Sequence, residues 1–275
     1  MPDYIDLHMH TDCSDGLLSP EKLLNAVRKS GLTAFSVTDH DTVDGYRQVA
    51  ALLTPDDPEL VPGVELSVSM DGADMHMLAY LFDIDNKEFD AALDRFRKER
   101  SERGKQMIEL LRREGVDIPY DDVEALANGG VIGRPHIAEA MQRSGAVKTF
   151  EEAFRRYIGF NGPAYVPKSK LTPEQAIALV HAAGGLAVMA HPFVADMYTH
   201  IERLVPLGLD GVEAYHYSHT AAQTQEMIAT ARKYKLVYTG GSDFHGRNDR
   251  DAPIGSQRVP AHCLEQLKER KAQVS

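Results

Sequence analysis

The stretch Asp6-Leu7-His8-Met9-His10-Thr11-Asp12-Cys13-Ser14-Asp15-Gly16 decides how the chain is read. Its front, Tyr4 to His8, reads as a short strand with Ile5 and Leu7 on one face. Side chains two apart on a strand share a face, so His8 and His10 project side by side. Two imidazoles placed this way can hold one divalent metal, and Asp15 follows in a turn closed by Gly16. An isolated H-x-H is a weak signal, more often two ordinary histidines near a chain end than a metal site. The later segments Thr38-Asp39-His40-Asp41, Glu65, His76, Ala190-His191-Pro192 and Ser242-Asp243-Phe244-His245-Gly246 change the weighing, because they repeat the same donors at predicted strands or just past them.

Outward from that stretch, Ser19-Pro20-Glu21 opens a helix, with Ser as N-cap, Pro in the first turn and an acid beside it. A strand from Ala34 to Thr38 delivers Asp39 and His40, and a helix follows from about Val43 to Leu53. Leu60 to Val68 reads as a strand in which Glu65 stands among Val61, Val64 and Leu66. A carboxylate in so apolar a run is costly unless paired or metal-bound. Asp71-Gly72 is a hairpin signal, and Met75 to Phe82 returns as a strand carrying His76. Asn86 to Glu114 then reads as one long helix, whose basic run from Arg95 to Lys105 is expected to be a solvated face.

Between Gly115 and Pro167 short helical pieces (Tyr120 to Ala127, Pro135 to Arg143, Phe150 to Tyr157) are broken by glycines, and Ala164 to Val166 reads as a short strand. Alternation then resumes: strands at Leu186 to Ala190, Gly211 to Tyr215 and Leu236 to Thr239, separated by helices and closed by a last helix from Ala261 to Lys271. Apolar strands separated by helices predict an α/β fold, a parallel seven-stranded sheet closed into a TIM-like barrel. Residues 1–100 and 167–275 would form the barrel and 101–166 a helical insertion capping it. Sites in such barrels are built at the strands' C-terminal ends, where His8/His10, Asp39/His40, His191 and Asp243/His245 all fall.

Composition limits the partners. Cys13 and Cys263 are too few for a disulfide framework, no long apolar run suggests a leader or membrane span, and a cytoplasmic location is expected. The formal net charge of -11 argues against a broad grip on duplex nucleic acid. Anionic substrates stay open, because bound cations reverse the local sign.

His8-Met9-His10, Thr38-Asp39-His40, Glu65, His76, His191 and Asp243-Phe244-His245 stand in the order of the PHP family, named for polymerase and histidinol phosphatase, which the chain resembles over nearly its whole length. The resemblance implies a distorted seven-stranded β/α barrel that binds about two to three divalent metals and cleaves phosphoesters. The resemblance implies Mn first, with Fe or Zn as alternatives, and mixed imidazole and carboxylate ligands suit all three. Carried over by position, His8, His10, Glu65 and Asp243 hold one metal; Glu65, His76 and His191 a second, with Glu65 bridging; Asp15, His40 and His245 a third. His8, His10, Glu65, His191 and Asp243 would form the catalytic set. Gly133-Arg134-Pro135-His136 and Tyr165-Val166-Pro167-Lys168 resemble the nucleotide-directed branch, which includes 3',5'-nucleoside bisphosphate phosphatases and 5'-3' exoribonucleases. Histidinol phosphatases are less similar, since many carry a further histidine where Asp15 stands.

The expected substrate is therefore a small nucleotide, or a short oligonucleotide, held through Arg134 and Lys168. His136 would share the contact or lie on the helix surface, and His216 and His219 would touch substrate or form the rim. Asp12, Asp41 and Asp44 read as turn and cap residues, and His181, His200 and His262 as structural or surface. A metal-dependent amidohydrolase and a non-catalytic module of a polymerase assembly are the rival readings. No lysine stands at a strand end to bridge metals as in the first, and a full donor set argues against the second.

Overall fold

The computed structural model describes residues 3–127, 130, 132–167, 171–247 and 252–274. One sheet is built from β1 (Tyr4–Asp6), β2 (Ala34–Val37), β3 (Glu59–Met70), β4 (Ala73–Tyr80), β5 (Leu186–Met189), β6 (Gly211–Tyr215), β7 (Val237–Gly240) and β8 (Val259–Pro260). Their spatial order is β7-β6-β5-β4-β3-β2-β1-β8. The chain past β7 returns to the chain past β1, closing the barrel. Leu7 N–H donates to Gly240 O (3.1 Å), Asp243 N–H to His8 O (2.8 Å) and His10 N–H to Phe244 O (2.9 Å). This approach demands Gly241, since a Cβ there would run into the backbone nitrogen and Cβ of His8.

The parallel seven-stranded expectation is corrected in two respects. Strand β4 runs antiparallel to both β3 and β5. The hairpin that reverses it turns at Asp71 (φ 52°) and Gly72 (φ 84°), the left-handed pair that matches strand twist. An eighth strand, two residues long, pairs antiparallel with β1; a run so short carries no periodic signal. Ala164 to Val166 is also not a strand: Tyr165 N–H closes a turn onto Gly162 O (3.0 Å).

Around the sheet lie α1 (Pro20–Val27), α2 (Asp44–Ala50), α3 (Lys87–Arg113), α4 (Tyr120–Ala127), α5 (Arg134–Arg143), α6 (Phe150–Ala153), α7 (Pro173–Ala182), α8 (Ile201–Leu204), α9 (Ala221–Tyr234) and α10 (His262–Val274). Local chemistry sets the starts. Ser19 accepts from Lys22 N–H, Asn86 from Phe89 N–H, and Thr172 from Gln175 N–H. The barrel's apolar core runs from Leu7 and Val64 to Val188 and Val212. Met107, Leu111, Val123, Ile137, Met141 and Ile158 belong to a separate core among α3 to α6. None of the helices among the described residues is long and apolar enough to cross a membrane.

The solvated face expected at Arg95 to Lys105 is not what forms. Arg100 and Arg103 are buried beneath α3. Arg100 Nη1 donates to Asp41 Oδ2 (2.9 Å) and to Ser67 Oγ (3.1 Å). Asp41, at φ 55°, is the turn residue expected, but it is fully buried and also accepts from Ser67 N–H (2.8 Å) and Ser67 Oγ (2.7 Å). A buried cation with no carboxylate would be prohibitive, so the pair fixes where α3 crosses the barrel. Arg100→Ala should lower stability by about 3–5 kcal/mol in urea unfolding, since it strands a buried carboxylate. A loss under about 1 kcal/mol, as for a surface pair, would refute this account.

His136 is buried, and Gly133 N–H donates to its Nδ1 (3.0 Å), so the ring completes the start of α5 as an acceptor. Burial pushes its pKa from 6.5 down to about 4, with Arg100 and Arg247 adding to the fall. Between those values the unfolded chain binds the proton and the folded chain does not. Stability from this group is therefore complete above pH 6.5 and lost as pH falls towards 4. In His136→Asn the drop in Tm between pH 7 and pH 5 should be smaller than in the native chain; an unchanged drop would exclude His136 as its source.

Candidate metal centre

Glu65 is the hub. The side chain faces into the barrel from β3, where its Oε2 lies 3.3 Å from His8 Nε2, 3.3 Å from His10 Nε2 and 3.3 Å from His40 Nδ1. Its other oxygen, Oε1, lies 2.7 Å from His76 Nδ1 and 3.0 Å from His191 Nε2. Four strands or their ends thus deliver five imidazoles to one carboxylate: His8 and His10 past β1, His40 past β2, His76 on β4 and His191 past β5. Asp243, in the loop after β7, brings Oδ1 to 3.3 Å from His8 Nε2 and 3.2 Å from His10 Nε2. Asp15 faces His245 Nε2 (3.4 Å) and His40 Nε2 (3.8 Å).

Three sets of donor atoms each fall within 4.8 Å of one another: His8, His10, Glu65 and Asp243; His40, Glu65 and His76; and His10, Asp15, His40 and His245. All nine residues named in the sequence come together, with two shifts of emphasis. His10 also reaches the Asp15 set, and His40 stands with Glu65 and His76 while His191 joins them through Glu65. Both ring nitrogens of His10, His40 Nδ1 and Asp15 Oδ1 are buried without a hydrogen bond of acceptable geometry. Buried polar atoms left unmade cost about 1–3 kcal/mol each, so such a cluster fits divalent ions that would satisfy it. The donors, imidazole and carboxylate without thiolate, fit the same reading.

Burial works against ionising Glu65, Asp15 and Asp243, yet the surrounding imidazoles outweigh it and hold all three well below the usual carboxylate range. Burial likewise opposes charge on His10, but Asp243 and Glu65 lift its pKa to about 10. His40 goes the other way, well below its ordinary value, through burial first and then the Arg100 and His76 charges. The backbone is strained where it presents these groups: His191 sits at φ 25° and Asp243 at φ 53°.

Several supports escaped the sequence reading. Asp39 accepts from Thr11 N–H (2.7 Å), Thr11 Oγ1 (2.6 Å) and Ser14 Oγ (2.6 Å), which fixes the loop that carries Asp15. Glu213, fully buried on β6, lies 2.9 Å from His8 Nδ1 and accepts from His191 N–H (2.8 Å). A lone carboxylate in the apolar strand Gly211–Tyr215 is the signal that singled out Glu65, and it applied equally here.

Of the expected substrate contacts, Arg134 shares a cavity of about 320 Å³ with His76, His191, Phe160, Val194 and Met197. Its Nη2 lies 2.7 Å from Asp74 Oδ2, and the guanidinium stands over the rings of Phe154 (5.6 Å) and Tyr165 (5.8 Å). His136 is no surface residue, being held inside by Gly133. His216, also buried, has Nε2 3.2 Å from Asp243 Oδ2 and Nδ1 2.8 Å from Ser218 Oγ. His219 Nδ1 contacts Ala214 O (2.9 Å) and its ring packs edge-on to Phe193. Lys168 lies outside the described residues. Among the background histidines, His181 meets Asp210 (2.7 Å) and His262 meets Tyr238 (3.0 Å), as structural roles require.

With this geometry in place, comparison with known proteins gives a consistent picture. The model of the PHP domain matches residues 6–235. A 5'-3' exoribonuclease of Haemophilus influenzae is 32% identical over 245 residues, covering 87% of this chain and 89% of its own. A 3',5'-nucleoside bisphosphate phosphatase of Chromobacterium violaceum is 31% identical over 277 residues, covering 98% and 97%. A solved structure from Bifidobacterium adolescentis, assigned as a metal-dependent phosphoesterase, superposes with a TM-score of 0.88 at 29% identity over 98% of each chain. The fold, the donor constellation and these matches lead to one conclusion: the chain belongs to the PHP domain family and is a metal-dependent phosphoesterase.

Proposed function

We propose that the protein removes the 3'-phosphate of nucleoside 3',5'-bisphosphates, such as adenosine 3',5'-bisphosphate, to leave a mononucleotide and phosphate. The carrying observation is Arg134, which lines one cavity together with His76 and His191. A phosphoryl group among the metal donors then has a guanidinium within the same cavity for a second phosphate, which one nucleoside bearing two phosphates supplies. Arg103 is buried near Arg134 and Arg100, its pKa pushed down to about 10 by burial and then by Arg134, and its Nη2 has no hydrogen bond among the described residues. The 31% identical Chromobacterium violaceum relative carries this activity in its name. The choice of the 3' group rests on that likeness.

The donors would hold two to three divalent ions, Mn first, with Fe or Zn as alternatives. Bound there, the ions would acidify water and neutralise charge on the phosphoryl oxygens. His8, His10, Glu65, His191 and Asp243 would position that chemistry. The chain's other groups bind and orient: Arg134 grips the distal phosphate, held in place by Asp74 and two rings, and the apolar Phe160, Val194 and Met197 line the cavity beside it. Residues 101–166 would act as the cap that narrows the mouth to small substrates. Cleavage of short oligonucleotides from the 5' end is the second reading, favoured by the 32% identical Haemophilus influenzae relative.

Protein purified without chelator should carry about two to three equivalents of transition metal. Elemental analysis showing less than one, with full activity in chelator, would end the reading. Glu65→Ala should remove more metal than Asp15→Ala, because Glu65 faces five imidazoles and Asp15 stands at one end of the cluster. Arg134→Ala should lower kcat/KM for the bisphosphate by about 2–4 kcal/mol, and much less for a nucleoside monophosphate. Equal losses on both substrates would exclude Arg134 as the second-phosphate clamp.

A further inference from the structure

Strands β1 to β5 and the segment after β7 each deliver at least one of the nine donors. Strand β6, inserted between β5 and β7, delivers none, yet it is not chemically silent. Glu213 on it is fully buried, with its two oxygens on His8 Nδ1 (2.9 Å) and on the backbone N–H of His191 (2.8 Å). No Lys or Arg pairs with Glu213 among the described residues. His216, one residue past the strand, is 2% exposed and puts Nε2 3.2 Å from Asp243 Oδ2.

We propose that Glu213 and His216 are positioning residues of the metal centre, Glu213 setting His8 and His191 and His216 setting Asp243. An ionised carboxylate only accepts hydrogen bonds, so beside Glu213 the proton of His8 is placed on Nδ1. The lone pair of Nε2 is then left facing Glu65 Oε2 and Asp243 Oδ1, each 3.3 Å away, where a metal would sit. A carboxylate bonded to the far nitrogen of a ligating imidazole also raises its basicity as a donor. The second oxygen of Glu213 holds the N–H of His191, whose φ of 25° is a conformation that an L-residue keeps only when its surroundings impose it. One carboxylate thereby fixes donors from two strands. For the fold alone such a group is a poor choice, since a buried carboxylate without a cation costs several kcal/mol where a neutral or apolar side chain would not. His216 acts in the same way on Asp243, which also sits at positive φ, by holding the oxygen that does not face His8 and His10.

The inference rests on the metal-centre reading of the same donors, and metal binding without substrate tests it. Chelator-stripped native protein, Glu213→Gln, His216→Gln and Asp210→Asn are titrated with Mn by calorimetry and with Co by visible absorption. Asp210 is the control, a buried carboxylate at the foot of β6 that bonds His181 (2.7 Å) and Arg270 (3.1 Å), remote in chemistry from the donors. In Glu213→Gln the amide can satisfy His8 but meets the His191 N–H with either an N–H or a weaker acceptor. Affinity should fall about 10–100-fold, with an altered Co spectrum, and His216→Gln should lose about tenfold. Asp210→Asn should lower Tm while binding metal as the native chain does. Glu213→Gln with native affinity and a native Co spectrum overturns the proposal, whatever its Tm. If that variant does not fold, native affinity in His216→Gln overturns it instead. Failure of the native chain itself to bind metal strikes the underlying reading and is separately visible.

Discussion

Burying the carboxylate of Glu65 is the constraint on which the rest of the molecule depends. A charged group at the centre of an apolar barrel is tolerable only with counter-charge or hydrogen-bond donors on every open side. The chain answers with five imidazoles from four different strands, each of which must be brought to within about 3.3 Å. No single helix or hairpin presents five side chains to one point. A closed sheet does, because its strand ends converge around an axis. Closure therefore has to be tight, which is why the chain past β7 is bonded directly to His8 and His10 and why Gly241 has no side chain there.

A second consequence concerns the cap. Asp41 and Ser67 follow His40 and Glu65 by one and two residues, and their mutual hydrogen bonds tie the loop past β2 to β3. Arg100 enters this pair from α3, so the helix that leads into the proposed cap is anchored beside the donors. The cost of burying a guanidinium is offset only in that geometry. The same charge also depresses the His40 pKa, so the anchor and the electrostatics of the centre are one feature.

Much of this was legible before any coordinates, for a definite reason. Metal donors announce themselves by residue type at strand ends, and the nine named from the sequence do converge. Hidden charges were harder. The run from Arg95 to Lys105 looks uniformly solvated because composition does not say which face of a helix meets a buried acid; Arg100 and Arg103 turn inward while their neighbours stay out. Asp41 looked like a turn residue, and it is one, but turn chemistry is blind to burial. Glu213 was missed although its local pattern matches that of Glu65, since it has no partner motif in sequence: its partners are a ring two hundred residues away and a backbone N–H. The reversed β4 was half visible in Asp71-Gly72, whereas the two-residue β8 exists only because β1 offers it an edge.

The recognition of substrate follows from the same juxtaposition. The metal donors can engage one phosphoryl group and carry no information about what is attached to it. Discrimination has to come from groups at a fixed distance from them, and Arg134 is the guanidinium that lines the cavity with His76 and His191. Arg134 belongs to α5 of the insertion, while its partner Asp74 belongs to β4 of the barrel, next but one to His76. The ion pair therefore forms only when the insertion is seated, and it holds the guanidinium between Phe154 and Tyr165 in advance of any ligand. A side chain already ordered loses little entropy on binding, so more of its interaction with a phosphate appears as affinity. On this reading Arg100 and Arg134 serve one purpose in sequence. The first fixes α3 against Asp41 past β2 and Ser67 on β3, and under the proposed function the second would use that fixed position to meet the second phosphate.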